Sequence, residues 1–200
     1  GAEMCIRDRS IIDEVTTALD AGAQHVRLGG ATCIYTWHAE GVGELEHPRP
    51  NPEPITELLH TLREDERLDI LHVDNANPSI IAEHLEESEV ITRLLVDTLS
   101  DGAVLSFGLE SADPQVHDAN WLNCTTEQFR TAVRHINDHG SERGPRGLPQ
   151  LLPGVNLIAG LHGERESTWN HNHSLLTSIL KEGLMIRRVN LRQDEGHGFP

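Results

Sequence analysis

Residues 104–111, VLSFGLES, decide the fold class, because this apolar run ends in a carboxylate and a hydroxyl. The run has the length of a buried strand, and Glu110 with Ser111 forms a polar rim at its end. Residues 154–160, GVNLIAG, have the same form and lead into a glycine-rich turn. Short apolar strands of this kind, when they alternate with helices, are typical of parallel α/β folds.

Helical patterns lie between the predicted strands. Residues 125–140 are the clearest case: Thr125 and Gln128 form a capping box, an apolar stripe follows, and Gly140 ends the helix. Asn77 as N-cap and Pro78 at the first helical position predict another helix start. Further helices are predicted from an N-cap at Ser10 to Gly22, and over residues 54–64, 90–99 and 167–183. Further strands are predicted within residues 25–30, 68–73 and 185–193.

Strands and helices therefore alternate, which predicts a parallel sheet that is either doubly wound or closed toward a barrel. In both architectures ligands bind at the carboxyl ends of the strands. The candidate site is accordingly formed by the residues that follow each strand, which are Gly29, Gly30, Asp74, Asn75, Glu110, Ser111, Gly160, Gly163 and Glu164.

The charge balance constrains the partners. The 200 residues include 32 acidic and 16 basic ones, for a formal net charge of −16, and Lys181 is the only lysine. A surface rich in carboxylates and nearly free of lysine stays hydrated in concentrated salt, so we expect a protein of a halophilic archaeon, with an acidic mesophilic protein as the alternative. The acidity disfavours nucleic-acid binding through this segment. No apolar run is long enough to span a bilayer, and an odd number of cysteines without metal-site spacing is typical of a cytoplasmic protein.

The order of the motifs resembles a known family. FGLES is followed by NCTTEQFRTAVRHINDHG, then by LLPGVNLIAGLHGERESTW, then by RRVNLRQ. This succession resembles the core domain of radical SAM enzymes, in the methylthiotransferase-like and Elongator-like subgroup. It is most similar to archaeal radical SAM proteins that carry a C-terminal helix-hairpin-helix, and it covers Ser10 to Gln193. The resemblance implies a partial (β/α)6 TIM-like barrel that lacks the first strand and the cluster loop.

The resemblance also implies two cofactors, S-adenosylmethionine and a [4Fe-4S] cluster that cleaves it reductively with an electron donor. Gly29 and Gly30 match the motif that meets the methionine amino group, although Ala31 stands where the family has a glutamate. Glu110 and Ser111 match the polar pair near the ribose or the amino group. The remaining matches are Ile158 and Gly160 beside the adenine, Asn190 in the strand that contacts the same ring, and Arg192 as a substitute for the arginine that pairs with the carboxylate.

The cluster motif CxxxCxxC of the family is absent from the sequence. Cys33 and Cys124 lie far apart, and we expect both to be buried thiols. We therefore interpret residues 10–200 as a fragment of the core domain whose cluster ligands lie upstream. EMCIRDR at residues 3–9 matches a translated sequencing adapter, so we interpret residues 1–9 as a non-native leader.

Two other hypotheses remain open from the sequence. One is a degenerate SAM-fold module that binds without catalysis. The other is an unrelated parallel α/β enzyme that uses Glu110, Asp74 and a histidine such as His72 or His162. HNH at residues 171–173 is not a metal motif in a helix, because positions i and i+2 face apart, and we expect a solvated face there. The substrate is not encoded in these motifs, and a tRNA bound through further domains is one possibility.

Overall fold

Helices and parallel strands alternate along the chain. The computed structural model describes residues 2–29 and 33–193, with side chains from Arg9 onward. The helices are α1 (Ala2–Asp20), α2 (Pro52–Arg63), α3 (Pro78–Glu83), α4 (Leu85–Thr98), α5 (Pro114–Asn120), α6 (Thr126–Gly140) and α7 (Glu166–Lys181), with a 3-10 turn at Ile34–Thr36. The strands are β1 (His25–Leu28), β2 (Ile70–Val73), β3 (Asn75–Ala76), β4 (Ala103–Glu110), β5 (Leu151–Ala159) and β6 (Arg188–Gln193).

Every strand pairing between these elements is parallel. β1 pairs with β2, and β3, β4, β5 and β6 form a second sheet in that order. Only Asp74 separates β2 from β3, and its carbonyl oxygen accepts a hydrogen bond of 2.7 Å from the Ser106 amide. β2 and β3 are therefore consecutive parts of one stretch of chain, which pairs with β1 along β2 and with β4 along β3. The predicted α/β fold with parallel sheets is confirmed.

The two faces of the second sheet differ in chemistry. Odd-numbered residues of β4 and β5, such as Phe107 and Val155, are fully buried in the core beneath the helices. The Phe107 ring meets the Phe129 ring of α6 edge to face, with centroids 6.1 Å apart. From Ser106, Gly154 and Arg188 onward, the even-numbered residues of β4, β5 and β6 lie on the opposite side, which we call the polar face. Glu110 belongs to it because its carboxylate lies over Gly108, although its partner in the register is Leu157. The polar face comprises Ser106, Gly108, Glu110, Gly154, Asn156, Ile158, Arg188, Asn190 and Arg192.

Local sequence signals explain most of the helix ends. The Asn77 side chain accepts from the Ser79 amide at 3.0 Å, and both hydrogen bonds of the Thr125–Gln128 capping box are present. The prediction that Ser10 caps α1 is wrong, because the helix begins at Ala2. Residues 2–9, AEMCIRDR, consist largely of residues with high helix propensity and contain no breaker, so the helical conformation extends upstream of Ser10.

The two cysteines whose side chains the structure describes are both buried. Cys33 is 5% exposed and Cys124 is 1% exposed, which confirms the expectation for these two residues, whereas the Cys5 side chain lies outside the described ones. In the parts of the chain that the structure covers, no helix combines the length and the apolarity that a membrane crossing requires.

Candidate functional site

A cavity of about 440 Å³ opens at the carboxyl ends of β3 and β4. Its sheet side is formed by polar residues, among them Asn75, Ser106, Glu110 and Asn156. Its other side is formed by the chain between β1 and α2, which contributes the buried Cys33. The cavity is therefore placed where ligands bind in parallel α/β folds.

Glu110 is set in this cavity by an unusual backbone. Its φ of 62° lies in the left-handed region, which is uncommon for a residue with a side chain. The Ser111 amide donates to the Leu109 carbonyl at 2.7 Å, which closes a tight turn around Glu110, and the pairing with β5 shifts register between Gly108 and Glu110. Irregularities of this kind redirect a side chain and are concentrated at functional sites.

The turn brings the Glu110 carboxylate back over Gly108. A Cβ atom at position 108 would lie 2.8 Å from the Glu110 Oε1 atom, so a side chain there would displace the carboxylate from this position. Burial raises the pKa of Glu110 above its ordinary value, and the Arg192 guanidinium opposes part of that rise. The site thus holds a partly desolvated carboxylate with a cation nearby.

The neighbouring strands bring further predicted residues to the same face of the sheet, although Ile158, Asn190 and Arg192 do not line the cavity itself. Ile158 of β5 pairs in register with Arg192 of β6, and Asn156 pairs with Asn190. The Asn190 Nδ2 atom donates to the Asn156 Oδ1 atom at 2.8 Å, so the two polar residues within these strands satisfy each other. Glu110, Ile158, Asn190 and Arg192 therefore share the polar face on three adjacent strands.

Gly29 lies at the end of β1, beside a second carboxylate. A Cβ atom at position 29 would lie 2.8 Å from the Asp74 Oδ2 atom, and Asp74 forms an ion pair with Arg27. Asp74 and Glu110 thus each lie over a glycine at a strand end. Gly30, the other half of the predicted motif, lies outside the described residues.

Ser111 and Gly160 are held by local hydrogen bonds. Ser111 is 1% exposed, and its Oγ atom accepts from the Asp113 amide at 3.2 Å. Gly160 has a φ of 91°, and its amide donates to the Glu164 Oε2 atom at 2.5 Å. Both residues therefore shape the turns behind the strand ends, and their proposed contacts with a cofactor remain predictions.

The sequence did not indicate the buried polar cluster behind the site. Asp113 is 1% exposed and accepts hydrogen bonds from the Gln115 amide at 3.0 Å, from Thr168 Oγ1 at 2.7 Å and from Arg165 Nη2 at 3.3 Å. Burial alone would raise the pKa of Asp113, but these hydrogen bonds outweigh it and hold the pKa below its ordinary value. Asp113 followed by Pro114 is a helix-start signal that could have revealed α5.

Asn172 joins this cluster from the HNH segment. Its flanking residues His171 and His173 are exposed, as expected of a solvated face. Asn172, however, is 3% exposed, and its Oδ1 atom accepts from the Ala112 amide at 2.7 Å. This side chain therefore anchors α7 to the turn that follows Glu110.

The described residues do not fit an iron–sulfur cluster. No group of three potential metal ligands occurs among them. Burial raises the pKa of the Cys33 thiol, whose sulfur accepts a hydrogen bond from the Asn77 amide, and burial raises the pKa of Cys124 to about 12. Both thiols are therefore held protonated, whereas a cluster ligand is a thiolate.

The alternative of an unrelated α/β enzyme depends on Glu110, Asp74 and a histidine, and the structure does not place these described residues around one cavity. Asp74 is paired with Arg27, and the His72 Nε2 atom lies 3.2 Å from the Ser100 carbonyl oxygen. His162 is exposed on the turn after β5. Of Glu110, Asp74 and the two histidines, only Glu110 lines the 440 Å³ cavity, whereas a shared acid–base site needs its groups around one reacting centre.

Comparisons with known proteins give relatives without an assigned activity. No model of a protein family matches the chain. An uncharacterised protein of Methanocaldococcus jannaschii is 40% identical over 186 residues, which are 93% of this chain and 34% of that protein. An uncharacterised protein of Archaeoglobus fulgidus is 37% identical over 185 residues, which are 92% of this chain and 34% of that protein. The chain thus spans about a third of the length of these curated relatives.

Among solved structures, the chain is similar to coproporphyrinogen III oxidase from Escherichia coli, which is described as a radical SAM enzyme. The TM-score is 0.44 and the sequence identity is 16%, over 72% of this chain and 28% of that one. The firmest result of the comparisons is therefore the likeness to one third of two archaeal proteins, over nearly the whole of this chain.

Proposed function

We propose that the chain is part of a radical SAM enzyme whose polar face binds S-adenosylmethionine. The observation that carries this proposal is the geometry of Glu110, whose left-handed backbone turns a carboxylate over Gly108 at the carboxyl end of β4. This residue ends the FGLES motif, which matches the family at the polar pair near the ribose or the amino group. A carboxylate in that position accepts hydrogen bonds from hydroxyl or ammonium groups.

The other residues of the polar face have complementary chemistry. Ile158 offers an apolar contact for a planar ring, and Asn190 lies on the neighbouring strand β6, opposite Asn156. Arg192 offers a cation for a carboxylate, and the backbone at Gly29 is accessible because the residue has no side chain. When bound, S-adenosylmethionine together with the cluster supplies a carbon radical that abstracts hydrogen from a substrate. The contribution of this chain is to bind and orient the cofactor.

The proposed reaction needs further groups that the described residues do not provide. We propose that the ligands of the [4Fe-4S] cluster lie outside the described residues and that a separate electron donor, in the cytoplasm, reduces the cluster. The substrate would be selected by further domains, and a tRNA is one candidate.

The test uses the longest natural protein that contains this segment, purified anaerobically and reconstituted with iron and sulfide. After addition of S-adenosylmethionine and dithionite, we expect 5′-deoxyadenosine, measured by liquid chromatography. The Glu110→Gln variant should lower its rate of formation at least ~10-fold, since a charge-assisted hydrogen bond contributes about 1.5–3 kcal/mol. Glu127→Gln removes an exposed carboxylate on α6 and should leave the rate unchanged.

Two results would contradict the proposal. The first is a reconstituted protein with a complete cluster that forms no 5′-deoxyadenosine. The second is an equal effect of Glu110→Gln and Glu127→Gln, because a carboxylate on the polar face would then have no special role.

A further inference from the structure

We propose that Arg188 forms an anion subsite on the polar face, which binds a carboxylate or phosphate group of the substrate. The subsite is separate from the strand-end residues considered for S-adenosylmethionine. It depends only on the geometry of the sheet, so it does not require the proposed radical chemistry.

The strand register places Arg188 in one layer with two small residues. Gly154 of β5 is the partner of Ser106 on β4 and of Arg188 on β6. The Arg188 Nη2 atom donates to the Ser106 Oγ atom at 2.8 Å, so the side chain crosses the whole width of β5. The guanidinium is therefore fixed on the polar face.

Gly154 makes this crossing possible. A Cβ atom at position 154 would lie 3.1 Å from the Arg188 Cγ atom and 3.0 Å from the Val104 Cγ1 atom. For contacts that short, the neighbouring side chains must move by a few tenths of an ångström, so a side chain at position 154 would shift the arginine stem. The absence of a side chain at Gly154 thus leaves the space that the stem of Arg188 occupies.

The guanidinium is left with unused hydrogen-bonding capacity. The Arg188 Nε atom is buried and has no hydrogen-bond partner among the described residues. Arg27, Arg49 and Arg165 each pair with a carboxylate, whereas no described carboxylate pairs with Arg188. In a chain with a net charge of −16, carboxylates are abundant, and a buried donor without an acceptor costs free energy. An oxyanion supplied by a ligand would satisfy this donor.

The position of the subsite indicates how a ligand would reach it. Ser106, the partner of Arg188, lines the 440 Å³ cavity, which Glu110 also lines. Arg188 precedes Arg192 by four residues on the same strand, a separation of about 13 Å at the rise of a parallel strand. A ligand that enters at the strand ends can therefore place an anionic group further along the sheet. The planar guanidinium binds carboxylates and phosphates through parallel N–H donors.

The test measures the arginine Nε–H signals of the chain by ¹⁵N NMR, without iron and without S-adenosylmethionine. Inorganic phosphate and, in a separate arm, acetate are titrated at constant KCl concentration. We expect the Arg188 Nε–H signal to shift saturably with one of the two anions, and which one identifies a phosphate or a carboxylate ligand. The signal of the adjacent and exposed Arg187 is the internal control and should show no saturation.

Signals are assigned through the side-chain carbons, so the measurement does not depend on a variant that folds. In variants, Ser106→Ala and Arg188→Lys should weaken anion binding at least ~10-fold, as expected for loss of a charge-assisted hydrogen bond, while Arg187→Gln should not. The proposal is overturned if the Arg188 signal is unchanged by both anions, or if it moves in parallel with that of Arg187. Because no cofactor is present, such a failure leaves the test of the radical SAM proposal unaffected.

Discussion

Glu110 illustrates how much of the site depends on single residues. The chain adopts a φ of 62° at a residue that has a side chain, and the carboxylate that results lies over Gly108 in a partly desolvated position. Both features cost stability, because left-handed backbone is unfavourable for L-residues and burial disfavours the charged form. A position that is unfavourable for folding and points into a cavity is a candidate for function.

The raised pKa of Glu110 gives a pH-dependent prediction. A carboxyl with a raised pKa in the folded state favours folding while it is protonated, and that contribution is lost as the pH rises through the folded pKa. Glu110→Gln should therefore increase the free energy of unfolding at neutral pH, and the increase should shrink as the pH falls toward the ordinary pKa of glutamate. Urea unfolding of both proteins from pH 4 to pH 8 measures this.

Glu127→Gln provides the matched control, because that carboxylate is 83% exposed on α6. Its effect on stability should be small throughout the range. A Glu110→Gln variant that is less stable than the parent at neutral pH would show that the charged form is favoured in the folded state.

At the scale of elements, α6 has a central position. Its apolar stripe, which includes Phe129, Val133 and Ile136, is fully buried against the sheet. Its last residue, Gly140, lies so close to β5 that a Cβ atom there would overlap the Leu151 carbonyl oxygen. Asn137 also holds the segment before β6 by two hydrogen bonds to the backbone of Met185. One helix thus positions two of the three strands of the polar face, β5 and β6.

Gly140→Ala should destabilise the protein by about 1–3 kcal/mol, the usual cost of overpacking a tightly packed contact. An ordinary helical glycine would instead gain stability on replacement by alanine. Asp138→Ala, at an exposed position of the same helix, should change the free energy of unfolding by less than about 0.5 kcal/mol. Chemical denaturation, monitored by circular dichroism, measures the free energy of unfolding of both variants. A neutral or stabilising Gly140→Ala would mean that α6 and β5 are further apart than described.

The elements that the sequence predicted are those with local causes. The capping box of α6, the Asn77 cap and the long apolar strands are each determined by neighbouring residues, and all are present. β3 and the bulge at Glu110 arise from pairing between distant strands, so no short pattern indicates them. The same holds for Asn172, whose burial depends on a contact with Ala112 sixty residues away. The residues of the site could be predicted because they follow a strand in the sequence. The residues that contact them lie far away along the chain and could not be predicted.

At the scale of the whole molecule, repulsion between negative charges opposes folding. A net charge of −16 on 200 residues destabilises the compact state. Ion pairs between distant segments offset part of this repulsion at the surface, such as Arg67 with Asp20 and Arg49 with Glu87. Exposed pairs of this kind contribute little individually, so the repulsion is only partly relieved.

Salt should therefore stabilise the protein. Raising KCl from 0.1 M to 1 M shortens the screening length from about 10 Å to about 3 Å, which weakens repulsion across the surface. We expect the melting temperature to rise over this range. Sucrose at matched osmolality is the control for non-ionic effects of the solute. A melting temperature that stays constant or falls with KCl would show that the ion pairs outweigh the net charge.

The crossing of Arg188 over Gly154 has an evolutionary consequence. Alanine at position 154 would meet the arginine stem at 3.1 Å and the Val104 side chain at 3.0 Å, so part of its cost depends on the residue at position 188. Substitutions at these positions should therefore be epistatic: Gly154→Ala should cost less beside an alanine at position 188, where only the contact with Val104 remains. A lineage that replaces Gly154 thereby favours a smaller residue at position 188, and with it the loss of the cation on the polar face.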